Sequence, residues 1–158
     1  MSGGASRRGL LVGAAAWAAW PARAQLAVPT TTARIRADTA EAERLARDFL
    51  AGAVPVAEGL QIEVPALAED AASVPVRLQM TLPWSDAIWC REMILLAELN
   101  PQPRACRLAF QPALGAVDLA LRLRLIGSMG LRALARISDG RVLMARAEVR
   151  VVAGGCGL

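Results

Sequence analysis

The chain has 158 residues, 55% of them hydrophobic, which suits one folded domain with a real core and argues against disorder. Histidine and lysine are both absent, so the commonest general base and metal ligand is missing, and Schiff-base chemistry is excluded. The formal charge of +4 does not mark a nucleic-acid binder: Arg7, Arg8 and Arg23 fall in a leader, and removing these three from 18 leaves 15 arginines against 14 acidic residues, about +1.

The leader comes first in the chain. Ser6-Arg7-Arg8-Gly9-Leu10-Leu11 opens a basic region, Leu10 to Trp20 is a short apolar stretch, and Ala22-Arg23-Ala24 has the small-x-small form of a cleavage site. Such a run is too short to span a hydrocarbon core of ~30 Å. Residues 1–24 are therefore expected to be a removable export signal, with Gln25 as the first mature residue. The paired arginines point to the twin-arginine route, with an ordinary secretory signal as the alternative, and either leads out of the bacterial cytoplasm. No cysteine lies in or just after the signal, which argues against a lipid anchor.

Residues 25–37 read as an extended lead-in segment. Asp38-Thr39-Ala40-Glu41 has the form of a capping box, and Ala40, Leu45, Ala46, Phe49 and Leu50 approximate a helical stripe, so the spacing predicts one helix over about 39–51, stopping near Gly52. The period then changes to two. Leu60, Ile62 and Val64 alternate with polar residues, as do Val74, Val76, Leu78, Met80 and Leu82. Ile88 to Leu96 fits strand or helix, and Asn100-Pro101-Gln102-Pro103 must turn because two prolines restrict the backbone. Cys106, Leu108 and Phe110 form the next face, and Val117 to Leu125 a longer one. Leu131, Ala133, Ala135 and Ile137 lead to Ser138-Asp139-Gly140, a strong hairpin signal, and Leu143, Ala145, Ala147, Val149 and Val151 return. About seven short strands behind one helix predict a mainly β chain, an immunoglobulin-like antiparallel β-sandwich with one N-terminal helix. The expected division is 1–24 export signal, 25–152 sandwich and 153–158 a flexible C-terminal arm.

That arm carries the main functional signal. Gly154-Gly155-Cys156-Gly157-Leu158 places a thiol between glycines, which lack a Cβ and reach backbone conformations closed to other residues. Four residues beyond Val152 give a reach of about 13 Å. No cation lies beside Cys156, and the terminal carboxylate disfavours a thiolate, so the thiol is expected to be a sluggish nucleophile that another protein's site activates. A structural disulfide this close to a terminus would constrain little. Cys90 and Cys106 are expected to be buried and free, although they could pair with each other; a symmetric hairpin about the proline turn would set Cys106 opposite Ala97. Trp84 and Trp89 read as core or interface anchors, and nothing in the spacing of Asp86 and Glu92 compels acid and base roles. Arg122, Arg124, Arg132, Arg136, Arg146 and Arg150 read as a solvated sheet face, or as a surface for an acidic partner or anionic cargo. Three cysteines without histidine, this far apart, do not make a zinc site.

Taken together, the leader, Pro65-Ala66-Leu67-Ala68-Glu69-Asp70 leading to Val74-Pro75-Val76, the Asn100-Pro103 turn, the Ser138-Asp139-Gly140 hairpin and the terminal Gly-Gly-Cys-Gly resemble the SoxY family, sulfur carriers of the periplasmic thiosulfate-oxidising system. The resemblance covers essentially the whole chain. It implies a carrier without a cofactor and not itself a catalyst, whose Cys156 holds the cargo on an arm made by Gly154, Gly155 and Gly157. It also implies a heterodimer with a SoxZ-like subunit, and transient partners in the c-type cytochrome SoxAX, the hydrolase SoxB and the sulfane dehydrogenase SoxCD, with no nucleic acid and no membrane. Three departures stand out. Leu158 replaces a usual terminal glycine, Asp70-Ala71 stands where Asn-Gly is common, and Cys90 and Cys106 are additional thiols. The competing reading is an exported β-sandwich adaptor whose terminal cysteine only makes an intermolecular disulfide.

Overall fold

A computed structural model describes residues 31–152. The export signal expected over 1–24 and the arm expected over 153–158 lie outside the described residues.

Helix α1 runs over Thr31–Leu50. It begins eight residues before the expected start, because no glycine or proline separates Thr31 from Asp38 and the intervening Ala-Arg-Ile-Arg-Ala favours helix. Asp38 therefore lies inside the helix and does not cap it, and residues 31–37 are not extended. The buried face is Ala42, Ala46 and Phe49, at i, i+4 and i+7, while Ala40 is exposed. The stop falls as expected: Ala51 and Gly52 both take positive φ, 48° and 86°, and glycine carries the larger value without Cβ strain.

Among the described residues, eight strands follow in two sheets. β1 (Leu60–Glu63), β3 (Val74–Met80) and β6 (Asp118–Leu123) form a three-stranded sheet in the order β1-β3-β6. β2 (Leu67–Ala68), β8 (Val142–Val151), β7 (Met129–Ile137), β4 (Cys90–Ala97) and β5 (Arg104–Ala109) form the second, in that order. The chain crosses between sheets after β1, β2, β3, β5 and β6, the connectivity of an immunoglobulin-type sandwich. The ambiguous segment around Ile88 to Leu96 is thus strand, and the proline turn joins β4 to β5. Between the sheets lies one apolar core that includes Val74, Val76, Leu78, Leu131, Ala133 and Leu143, alternating residues of the sequence pattern, together with Met93 and Leu95 from the segment the pattern left open. The hairpin between β7 and β8 closes with Gly140 at φ 93° and with Asp139 Oδ1 accepting the Arg141 N–H at 3.0 Å.

The other face of the second sheet is covered by α1. Ile94, Leu96, Leu134 and Val142 pack against Ala46 and Phe49 as a second apolar cluster. This corrects the expectation of a solvated arginine face. Arg132 is only 4% exposed and Arg136 is half-buried, because the helix lies on β7 where the pattern showed open sheet. Arg122, Arg124, Arg146 and Arg150 do face solvent. Arg132 Nη2 meets Glu43 Oε1 at 2.6 Å and Glu98 Oε1 at 2.5 Å, tying helix, β7 and the end of β4 together. Arg136 lies over the Phe49 ring, 5.0 Å from its centroid, and donates to the Phe49 carbonyl at the helix end.

The hydrogen bond from Arg132 holds the Glu43 carboxyl below its usual range, against an opposing effect of desolvation. A carboxylate with a depressed folded pKa contributes stability above its unfolded pKa, about 4.3, and loses it as pH falls through the folded value. Arg132→Met strands two half-buried carboxylates. It is expected to lower stability at pH 7 by about 2 kcal/mol, less than for a sealed pair because both acids keep some water. Urea titrations over pH 3–7 should also show a shallower acid fall in the variant, and wild-type stability with an unchanged acid limb would contradict the account.

Candidate functional site

The sequence points to Cys156, so what the fold can fix is the place where the chain departs towards it. β8 pairs with β7 over eight positions, from Met129↔Val149 to Arg136↔Val142. On its other side β8 is held in parallel by β2, with Leu67↔Arg150 and Ala68↔Val151 in register. The Arg150 N–H donates to Ala66 O at 3.1 Å and the Val152 N–H to Ala68 O at 3.0 Å. Ser128 at the start of β7 closes the ring: its Oγ accepts from Val151 N at 2.9 Å and lies 3.4 Å from Val151 O. Val152 is therefore a fixed anchor. Cys156, Gly154, Gly155 and Gly157 lie outside the described residues.

Sequence reasoning missed the two parts of this anchor. β2 is two residues long, too short to show a period, and Ser128 stands in an ordinary Gly-Ser pair with nothing to mark it. The sheet pairing that gives both their role is visible only once the fold is formed.

The other two thiols are free and separate. Cys90 is buried, and burial pushes its pKa up to about 12, with Glu92 adding to the rise. Its thiol donates weakly to Glu92 O at 3.5 Å. Cys106 is half-buried, less enclosed than expected, and desolvation raises its pKa as well. It stands opposite Leu95 and not Ala97, because the hairpin is asymmetric about the proline turn: the Ala97 N–H donates to Pro103 O and Leu96 faces Arg104, and a one-residue bulge between Leu95 and Leu96 then sets Leu95 against Cys106. That bulge turns Arg104 to the same side of the sheet as Arg107, towards α1. Here a cleft of about 700 Å³ is lined by Arg44, Arg104, Arg107, Arg136, Glu41 and Glu92, among others. Its charges are largely paired: Glu92 accepts from Arg107 at 2.6 Å and Arg136 at 3.3 Å, and Arg44 bridges Glu41 and Asp48.

Trp84 packs partly buried against the main core and donates from Nε1 to Pro112 O at 2.7 Å, as an anchor should. Trp89 is half-buried and pairs through its backbone with Ser138. Asp86 is exposed and makes no dyad with Glu92, which is engaged by arginines. Among the described residues no group of three or more Cys, Asp or Glu side chains is placed to hold a metal ion, and no helix is long and apolar enough to cross a membrane.

The fold is an immunoglobulin-type sandwich whose last strand is held on both edges at its end, as far as Val152. Residues 46–156 match the family described as sulfur oxidation protein SoxY, so the match runs to Cys156 itself. The chain belongs to the SoxY family. Among solved structures, the sulfur carrier protein SoxY from Chlorobium limicola f thiosulfatophilum is similar at 23% identity and TM-score 0.56, over 70% of this chain and 98% of that one. A superoxide reductase (neelaredoxin) from Ignicoccus hospitalis is similar at 25% identity and TM-score 0.53, over 60% of this chain and 81% of that one. The superoxide reductase from Nanoarchaeum equitans, at 12% identity and TM-score 0.51 over 61% and 100%, shares the fold alone. No curated protein matches the chain.

The thiols should be distinguishable in solution. At pH 8 a group with a pKa of about 12 is thiolate in only about one molecule in ten thousand, so Cys90 should resist a disulfide reagent such as dithionitrobenzoate. One thiol per chain is expected to react at the rate of an ordinary exposed cysteine, with the rest appearing on denaturation. Rapid reaction of all three in the native protein, or of none, would contradict this assignment.

Proposed function

We propose that the protein is a periplasmic covalent carrier of sulfur intermediates in thiosulfate oxidation, with the cargo bound to Cys156 on the arm formed by residues 153–158. The observation that carries this reading is the extent of the family match, which spans the sandwich and ends on Cys156. The anchored exit of β8 supports it, because a tether of known length from a fixed point makes the thiol deliverable. The buried Cys90 and half-buried Cys106 support it too, since a carrier of a single cargo needs its other thiols withheld.

In the loading step the Cys156 thiolate and the sulfane sulfur of thiosulfate become joined by a new S–S bond. The electron pair released passes to the haems of a c-type cytochrome complex of the SoxAX kind. A SoxB-like hydrolase then removes the terminal sulfonate as sulfate, with water supplying the oxygen, and a SoxCD-like dehydrogenase oxidises the sulfur that remains. This chain contributes the attachment atom and its delivery, and the partner sites contribute activation. A SoxZ-like subunit completes the carrier as a heterodimer, and export follows the twin-arginine route read from Arg7-Arg8.

Intact-mass measurement after incubation with thiosulfate and the cognate cytochrome should show a thiosulfonate adduct that reductant removes and that Cys156→Ser abolishes. An adduct that survives in Cys156→Ser, or a constitutive Cys156-linked dimer that never takes sulfur, would overturn the reading.

A further inference from the structure

Strand β6 ends its sheet, in the order β1-β3-β6, and among the described residues no strand pairs with its outer edge. The Met80 N–H donates to Val117 O at 2.9 Å, so by the alternation of an antiparallel ladder the hydrogen-bonded pairs that follow are Leu78 with Leu119, Val76 with Leu121 and Val74 with Leu123. The main-chain groups of Asp118, Ala120 and Arg122 are therefore turned away from β3, and all three residues are exposed. Leu119 and Leu121 pack against the core but stay half-buried, whereas Leu78 and Val76, opposite them on β3, are 0% and 2% exposed. The sandwich is open along this strand.

Edge strands are commonly guarded by lysine, proline, a bulge or extreme shortness. β5 carries a bulge and β2 is two residues long. β6 keeps unbroken register with β3 and contains neither lysine nor proline.

The sequence of this open edge is also self-complementary. Asp118-Leu119-Ala120-Leu121-Arg122, set antiparallel to itself about Ala120, places Asp118 opposite Arg122 of the second copy, Leu119 opposite Leu121, and Ala120 opposite its counterpart. The same register brings the outward N–H and C=O groups at 118, 120 and 122 of both copies into hydrogen-bonded pairs. Both charges are available for it. The Asp118 side chain is 50% exposed although it accepts from Arg77, and Arg122 spends only Nη1, on Ser73, leaving the rest of its guanidinium free to donate.

We propose that β6 is a dimerisation edge that joins two copies of this chain into one continuous sheet in the order β1-β3-β6-β6-β3-β1. The contact is isologous and closes on itself, so it stops at two copies. It covers Leu119 and Leu121 with the same residues of the second copy. A contact of this size is small, and association is expected to be weak, in the micromolar range.

Sedimentation of the full-length chain, with reductant present so that no disulfide links copies through Cys156, is expected to show a reversible monomer–dimer equilibrium. Ala120→Pro removes an N–H that points away from β3, so it should leave the ladder within the chain and the thermal midpoint near wild type while weakening the dimer. Arg122→Asp and Asp118→Arg each face like charges twice per dimer and should weaken it about tenfold. An equimolar mixture of these two variants should regain association, because each repels its own copy and complements the other. Asp118→Arg also gives up the Arg77 ion pair, and if it fails to fold, Ala120→Pro and Arg122→Asp carry the test. Wild type that stays monomeric at sub-millimolar concentration would overturn the proposal, as would a dimer that Ala120→Pro leaves intact or folded charge variants whose mixture does not associate. A SoxZ-like subunit that binds wild type one to one, displaces the second copy and is itself lost in Ala120→Pro would give the edge to that subunit, and would overturn the proposal too.

Discussion

The final strand is locked on both sides, and the architecture of this chain depends on that lock. β8 could have been an edge strand with a frayed end. Instead β7 holds it over eight antiparallel pairs, and the two residues of β2 add a parallel clamp at its last turn of register. A one-residue slip would turn Leu143, Val149 and the rest of the core face towards α1, so the register is fixed by burial as well as by hydrogen bonds. The consequence is a defined position for Val152, four residues before Cys156 in the sequence.

A second constraint explains how the sheet that carries β8 is kept in place. α1 covers its outer face, and the apolar contact of Phe49 and Ala46 with Leu134 and Val142 supplies the burial. Arg132 and Arg136 give that contact a register, one gripping Glu43 and the other the carbonyl and ring of Phe49. Arginine suits both positions, because its planar fork can serve two carboxylates at once and lie flat on an aromatic ring. The fold thus places charged residues under the helix to orient it.

Much of this was legible in the chain. Alternation in Val74–Met80, Met129–Ile137 and Val142–Val151 marked real strands because one face of each is buried between sheets. The Ser138-Asp139-Gly140 turn and the stop at Gly52 were legible because positive φ narrows the choice of residue. The start of α1 was not legible: a capping-box pattern at Asp38 competed with an uninterrupted helical stretch, and the stretch prevailed. The burial of Arg132 was hidden for a different reason. An arginine alternating with Leu131 and Ala133 reads as outward, and only tertiary structure brings a helix onto that side. For the candidate site, the thiol and its glycines were plain in the sequence, whereas Ser128 and β2 reach the end of β8 from segments far apart in the chain.

The central claim concerns one sulfur atom, and it can be read from the protein as cells use it. Trypsin cleaves after Arg150 and releases a peptide that begins at Val151 and contains Cys156. Peptide mass spectrometry of protein recovered from cells oxidising thiosulfate, without reductant, should find part of this peptide carrying additional sulfur, with the mass returning to that of the free thiol after reduction. A Cys156 peptide that stays unmodified during active oxidation, or sulfur found instead on the peptides of Cys90 or Cys106, would contradict the account.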